Sequence, residues 1–167
     1  MRTRTMMDAR FNMFENELGA KFTKRFANAG MILHQSSLPK ATQELVSLRV
    51  SQINGCGWCI DMHTKDAAAA GVPTDQINLV AAWRETSVFS EAEQAALALA
   101  EEGTRLADAH LGVSDETWSY VRKHFDDDHT AALVSLVALV NAANRLGVML
   151  RQKGGSYEPG MFERMVS

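Results

Sequence analysis

Four residues in one stretch of the chain have types and spacings that suit redox chemistry. Cys56 and Cys59 are three positions apart and are the two cysteines of the chain. At the start of a helix, the positive end of the helix dipole stabilises a thiolate, and a second thiol at this spacing is near enough to close a disulfide. His63 follows Cys59 by four positions, so the two side chains share one helical face, where an imidazole can accept the proton of a thiol. Glu44 lies on the preceding segment, from which its carboxylate could orient or reprotonate His63.

The same residues admit two other interpretations. Cys56, Cys59 and His63 could supply three ligands of a structural zinc site, but the sequence has no second cysteine pair and no obvious fourth ligand nearby. The cysteines could also be two inert buried thiols. A thioredoxin fold is disfavoured, because the strands that should flank such a motif are missing from the pattern. The favoured interpretation is a redox-active pair with no metal and no cofactor.

The elements that must position these residues are all predicted to be helices. Apolar residues recur every three or four positions in a series of segments, as in amphipathic helices. The predicted helices cover approximately residues 11–35, 40–52, 56–70, 74–83, 90–106, 114–125 and 127–152. Asn54-Gly55 is a typical helix end, and Ser90 with Glu93 forms a capping-box pattern. No strand-like alternation extends beyond a few residues, so the sequence predicts an all-α bundle of six or seven helices.

Composition limits the classes to which the chain can belong. Its 167 residues are one domain's worth, with 46% hydrophobic and 22% charged residues, which excludes a disordered or fibrous protein. The formal net charge of −3 offers no basic surface for nucleic acid. Two cysteines are too few for a secreted disulfide framework. We predict a single domain over residues 1–167, with loose tails at 1–10 and 154–167.

One apolar stretch, residues 131–150, is long enough to raise the question of a membrane span. Asn141, Asn144 and Arg145 interrupt it, and a central arginine costs about 2.5–3.5 kcal/mol on insertion scales. These polar groups predict a core helix in which they find hydrogen-bond partners. The arginine-containing N-terminus lacks the apolar region of a secretory signal. The sequence therefore predicts a cytoplasmic protein without a membrane partner.

The motif around the cysteines resembles a known family. Glu44 is followed by Ser51-Gln-Ile-Asn54-Gly-Cys56-Gly-Trp-Cys59, then by His63 and by Ala70-Gly-Val-Pro73. This order and spacing resemble the carboxymuconolactone decarboxylase/alkyl hydroperoxidase D (AhpD-like) family. The resemblance implies an all-helical fold that assembles as a trimer or a hexamer. It also implies a cysteine-based peroxidase activity that uses neither metal nor haem.

The resemblance also assigns roles to the site residues. In the best-known members a Glu, two Cys and a distal His form a proton relay, and the matching positions here are Glu44, Cys56, Cys59 and His63. Those members carry a second His directly before the second Cys, where this chain has Trp58. The expected substrate is a hydroperoxide, and the expected partner is an external dithiol reductant.

The order in which the two thiols react is predicted from their spacing. Cys59 is assigned as the attacking thiol because of its helical relation to His63, and Cys56 as the resolving thiol. The helix-dipole argument taken alone would favour Cys56 as the attacker.

Two alternative functions remain open at this point. One is lactone decarboxylation, the other activity in the family name, which would not need the cysteine pair. The other is a non-catalytic thiol redox sensor, in which the pair changes an assembly. A homotrimer or hexamer is expected in either case, with part of the 127–152 helix or the 11–33 helix at the interface.

Overall fold

Helices make up all the regular structure of the part of the chain that the computed structural model describes, residues 9–108 and 111–166. The α-helices are α1 (Glu17–His34), α2 (Lys40–Asn54), α3 (Gly57–Ala69), α4 (Thr74–Leu79), α5 (Glu91–Thr104), α6 (Asp115–His124), α7 (Asp127–Met149) and α8 (Met161–Val166). Short 3-10 helices cover Met13–Glu15 and Val80–Glu85. The all-α class is confirmed, and seven of these helices match predicted segments. The sequence pattern did not predict α8.

Helix α2 is the centre of the bundle, because it packs against α3, α5 and α7. Its apolar residues enter two separate core clusters. Val46 and Val50 belong to the cluster shared with α5 and α7. Leu45 and Leu48 belong to the cluster beneath α3 and the 3-10 helix Val80–Glu85. With both sides buried, α2 has a fixed rotation about its axis, and this rotation sets where Glu44 points.

The junction between α2 and α3 is two residues long. Gly55 closes α2 in the left-handed conformation, with φ of 67°, as the Asn54-Gly55 pattern predicts. Cys56 is then the N-cap of α3. A junction this short makes the two helices neighbours and lets their side chains meet.

Two polar residues of α7, Asn141 and Asn144, are buried inside the bundle, whereas Arg145 of the same helix is exposed. Asn54 donates hydrogen bonds to the side-chain oxygens of Asn141 at 2.9 Å and Asn144 at 3.0 Å, and Asn144 donates to Ser51 Oγ at 3.0 Å. Arg145 donates to the backbone oxygen of Asn141 at 3.0 Å. Among the described residues, α7 is the helix long and apolar enough to span a bilayer, yet it packs against α1, α2, α3 and α5. The predicted hydrogen-bond partners are therefore present, and α7 has the contacts of a core helix.

Residues 154–162, named here the C-terminal segment, differ from the loose tail that the sequence predicts. The Asp61 carboxylate accepts the backbone N–H groups of Gly155 at 2.7 Å and Tyr157 at 3.0 Å. Lys65 donates to the backbone oxygen of Tyr157 at 2.8 Å, and the Tyr157 side chain is buried. The Gly/Ser-rich composition gave no sign of these contacts, because they are supplied by α3.

Candidate active site

The two cysteines form a disulfide at the N-terminus of α3. Their Cα atoms are 5.3 Å apart, and Cys56 Sγ accepts the backbone N–H of Cys59 at 3.4 Å as the helix N-cap. An N-terminal N–H and the helix dipole both favour negative charge on a sulfur in this place. Both residues are buried, with 1% and 3% of their surface exposed. The cysteine pair is thus in its oxidised state and is protected from bulk solvent.

Glu44 and His63 meet across the contact between α2 and α3. Glu44 Oε2 lies 2.8 Å from His63 Nδ1, and each side chain is 14% exposed. A carboxylate accepts a hydrogen bond from Nδ1–H, which fixes the ring and leaves Nε2 as the nitrogen that can exchange a proton. The sequence-based expectation that Glu44 reaches His63 agrees with this geometry.

The structure does not join all four candidate residues in one hydrogen-bonded chain. Among the described residues, His63 makes its hydrogen bond with Glu44 and none with either sulfur. His63 lies one helical turn after Cys59 on α3, so the imidazole and the disulfide belong to neighbouring turns of one helix, and Glu44 reaches the imidazole from α2. The catalytic roles of these four residues stay predictions.

Gly147 of α7 lies close to the disulfide, and the sequence did not predict this contact. A Cβ atom at Gly147 of α7 would lie 2.8 Å from Cys56 Sγ and 3.7 Å from Cys59 Sγ. A side chain at this position would require α7 or the disulfide to shift, because 2.8 Å is closer than a Cβ and a sulfur normally approach. The signal in the sequence was only a glycine near the end of an apolar helix, which does not specify its partner.

A second pair of ionisable side chains, which the sequence did not predict, joins Asp66 of α3 to Tyr157 of the C-terminal segment. Tyr157 donates its hydroxyl hydrogen bond to Asp66 Oδ2 at 2.8 Å. Burial raises the pKa of Asp66 and the charge of Glu44 adds to this, whereas the Tyr157 hydrogen bond and His63 act against it. Burial and the hydrogen bond to Asp66 raise the pKa of Tyr157 well above its usual range, so this hydroxyl remains a donor.

An apolar cavity of about 470 Å³ lies beside the acid–base residues. Glu44, His63, Asp66 and Tyr157 contribute to its wall, and most of the other lining residues are apolar, from α1, α7 and the C-terminal segment. Its volume is within the range of about 300–1,000 Å³ typical of small-molecule sites. Neither cysteine is among its lining residues. The cavity therefore borders His63 and Glu44 but not the disulfide.

The structural zinc site that the sequence left open would need at least three ligand side chains close together. Within residues 9–108 and 111–166, no group of three or more His, Cys, Asp or Glu side chains is placed to hold a metal ion. Cys56 and Cys59 are bonded to each other.

Comparison with known sequences gives a family match. The model of the carboxymuconolactone decarboxylase family matches residues 17–102, just over half of the chain, and this range includes Glu44, Cys56, Cys59 and His63. The uncharacterised Bacillus subtilis protein YdfG is 38% identical over 122 residues, which are 73% of this chain and 82% of that protein. The alkyl hydroperoxide reductase AhpD of Rhodopseudomonas palustris is 44% identical over 75 residues, which are 42% of this chain and 41% of that protein.

Comparison with solved structures agrees on the fold. A protein of unknown function from Agrobacterium tumefaciens, described as a candidate AhpD antioxidant defence protein, superposes with a TM-score of 0.80 at 29% identity. The superposition covers 89% of this chain and 99% of the other. A peroxidase-related protein from Silicibacter has a TM-score of 0.72 at 19% identity, covering 86% of this chain and 75% of the other, which shows a shared fold.

Proposed function

Because the chain belongs to the carboxymuconolactone decarboxylase family, as an AhpD-like member, we propose that it is a cysteine-based peroxidase that reduces hydroperoxides. The observation that carries the proposal is the Cys56–Cys59 disulfide at the start of α3, the helix that also holds His63, whose Nδ1 lies 2.8 Å from the Glu44 carboxylate of α2. A thiol pair that closes a disulfide can accept two oxidising equivalents and return them to a reductant. The His63–Glu44 pair, whose side chains are each 14% exposed, can supply the proton that the reaction needs.

The proposed reaction has three balanced steps. A cysteine thiolate attacks the O–O bond of the hydroperoxide, forms a sulfenic acid and releases an alkoxide, which takes up a proton to become an alcohol. The second thiol then attacks the sulfenic sulfur, forming the Cys56–Cys59 disulfide and releasing water. An external dithiol finally reduces this disulfide through a mixed disulfide and is itself oxidised.

His63 and Glu44 have complementary roles in these steps. His63 accepts the proton of the attacking thiol and returns a proton to the alkoxide through Nε2. Glu44 fixes the ring through Nδ1 and stabilises the imidazolium that forms. No step in this scheme requires a metal or an organic cofactor.

The proposed attacking thiol is Cys59, one helical turn from His63. The N-cap position of Cys56, whose sulfur accepts the N–H of Cys59, favours the reverse order. Single serine variants distinguish between these two orders of attack. If Cys59 attacks, the Cys56→Ser protein accumulates a sulfenic acid after one equivalent of peroxide, detected by a dimedone adduct and mass spectrometry. An adduct that forms only in the Cys59→Ser protein reverses the assignment.

The experiment that tests the function measures peroxide consumption with several dithiol donors. We expect multiple turnovers in the wild type and none in a Cys56→Ser/Cys59→Ser control. A single oxidation that changes the assembly, without turnover, would indicate a redox sensor instead. If peroxide oxidises neither thiol, the lactone decarboxylase activity is favoured, because that activity does not need the cysteine pair. We further propose that the protein is cytoplasmic and assembles as a homotrimer or a hexamer. The proposed reductant of the disulfide is a cellular dithiol.

A further inference from the structure

The cavity beside His63 has the size and the wall of a site for a small organic molecule. It has a volume of about 470 Å³ and lies between α1, α2, α3, α7 and the C-terminal segment. Most of its wall is apolar, with Phe26 on α1, Leu136 on α7 and Phe162 in the C-terminal segment. A molecule that enters this space must present an apolar body, because the wall can pair with few polar groups.

The ionisable side chains of the wall are paired with one another and retain acceptor capacity. His63 Nδ1 lies 2.8 Å from Glu44 Oε2, and the Tyr157 hydroxyl donates to Asp66 Oδ2 at 2.8 Å. These contacts use one oxygen of each carboxylate, whereas a carboxylate can accept about four hydrogen bonds. Glu44 and Asp66 can therefore each accept a further hydrogen bond from a molecule in the cavity.

The donors of the wall are directed at groups of the protein itself. The Ser47 hydroxyl donates to the backbone oxygen of Gln43 at 2.7 Å, and the Gln43 amide donates to the backbone oxygen of Leu38 at 2.7 Å. His34 of α1 and Lys40 of α2 also line the cavity, and both are engaged in contacts of their own. Acceptors thus exceed available donors, and a complementary molecule must bring a donor.

We propose that the cavity binds an uncharged apolar molecule that carries a single hydroxyl group. The hydroxyl donates its hydrogen bond to the carboxylate of Glu44 or Asp66, and the apolar body packs against the side chains of α1, α7 and the C-terminal segment. A carboxylate in place of the hydroxyl would face two groups of its own charge, and an ether would leave the acceptors without a donor. The proposal goes beyond the peroxidase function, because neither cysteine lines the cavity.

Calorimetric titration of the oxidised protein with three probes of similar size tests the chemical class. The probes are 1-octanol, its isomer 1-methoxyheptane, which has no donor, and the anion octanoate. We expect 1-octanol to bind at least about 10-fold more tightly than the ether, the effect of one hydrogen bond to a charged acceptor. Octanoate is expected to bind more weakly than 1-octanol. Equal affinity for the alcohol and the ether, or tighter binding of octanoate, would overturn the proposal.

Two adjacent alanines of α7 provide a matched test of the location. Ala143 lines the cavity and Ala142 does not, and both are half-buried. Ala143→Leu adds three carbons at the wall, so we expect it to weaken 1-octanol binding by at least about 10-fold. Ala142→Leu is expected to bind like the wild type, and circular dichroism checks that both variants are folded.

A second pair of variants at the rim of the cavity keeps the test decisive if Ala143→Leu does not fold. Ala69 lines the cavity and Ala68 does not, and both are exposed at the end of α3, where a larger side chain has room. Ala69→Trp is expected to weaken 1-octanol binding, whereas Ala68→Trp should leave it unchanged. Wild-type affinity in folded Ala143→Leu and Ala69→Trp, or equal losses in the two controls, would overturn the proposal.

The binding measurement uses the oxidised protein without peroxide, which separates this proposal from the proposed function. A protein that binds 1-octanol with the expected preferences but consumes no peroxide contradicts the peroxidase function alone. An active peroxidase that does not bind 1-octanol contradicts only the cavity proposal.

Discussion

His63 has one ring nitrogen engaged by Glu44, and this single contact decides what the imidazole can do. Because Glu44 Oε2 is 2.8 Å from Nδ1, proton exchange is confined to Nε2, and a protonated ring is stabilised by the carboxylate. Both side chains are largely buried, where an ion pair is stronger than at the surface. The charge of Glu44, as well as its shape, should therefore matter for reactivity.

Glu44→Gln tests this importance of charge at nearly constant shape. The amide oxygen can still accept from Nδ1–H, but it cannot stabilise an imidazolium, so we expect thiol oxidation by peroxide to slow by about 10²–10⁴-fold. Stopped-flow measurement of thiol loss in the reduced protein gives the rate. Glu17→Gln, which removes an exposed carboxylate from α1, is the control and should react like the wild type. A folded Glu44→Gln protein with wild-type kinetics would reduce Glu44 to a structural residue.

A second prediction about a single residue concerns the stability of the Gly147→Ala variant. Replacing a helical glycine by alanine ordinarily stabilises a helix by about 0.5–1 kcal/mol. At Gly147, the new Cβ would be 2.8 Å from Cys56 Sγ, so α7 or the disulfide must shift, and we expect the oxidised protein to lose about 1–3 kcal/mol in its free energy of unfolding. At Gly30 of α1 the nearest atom is Leu139 Cδ2 at 3.7 Å, an ordinary contact. Urea unfolding of the oxidised proteins compares the two, and equal stability of Gly147→Ala and Gly30→Ala would contradict the prediction.

At the scale of elements, the sequence predicted the features that depend on residues close together in the chain, such as helix caps and the spacing of side chains on one helix. The Ser90–Glu93 capping box is present at the start of α5, and the spacing of Cys59 and His63 follows from helical geometry. The partners of Asp66 and Gly147 come from elements about 90 residues away in the chain, and local patterns carry no information about such contacts. The C-terminal segment illustrates this limit, since its composition is that of a loop while its attachment is specified by Asp61, Lys65 and Asp66 of α3.

The attachment of the C-terminal segment is predicted to depend on pH through Asp61. Burial alone would raise the pKa of Asp61, but hydrogen bonds from Lys65 and from the N–H groups of Tyr157 and Gly155 outweigh it and hold the pKa below its ordinary value of 3.8. A lowered pKa in the folded state means that Asp61 contributes stability above its ordinary pKa. That contribution is lost as the pH falls through the lower, folded-state value.

Hydrogen–deuterium exchange of residues 154–162 between pH 3 and 7 measures this dependence, after correction for the intrinsic exchange rate. We expect protection of the segment to fall at the acid end while the amides of α2 stay protected. Asp61→Asn should show weak protection already at pH 7 and little change with pH. Wild-type protection of the segment that persists unchanged at pH 3 would contradict the role of Asp61.

At the scale of the whole molecule, α1 and α7 leave apolar side chains uncovered. Only Gly19 and Ala27 of α1 are buried, whereas Leu18 is 76% and Ile32 71% exposed. On α7, Met149 is 62% exposed. Large apolar side chains that stay exposed on two helices can pack against another subunit, and closed rotational symmetry is the usual arrangement in soluble assemblies. These faces therefore support the proposed homotrimer or hexamer.

Sedimentation equilibrium at micromolar concentration tests the assembly. We expect the wild type to have three or six times the chain mass of 18.4 kDa. Phe22, 48% exposed on α1, lies one turn from Leu18, and a charge there must be buried if α1 is at the interface, so Phe22→Glu should shift the protein toward smaller species. Ser119→Glu adds the same charge to an exposed position of α6, which packs against α5, and should leave the mass unchanged. A stable wild-type species of one chain mass would refute the assembly. Equal effects of the two variants would place the interface away from the Leu18–Phe22 face of α1.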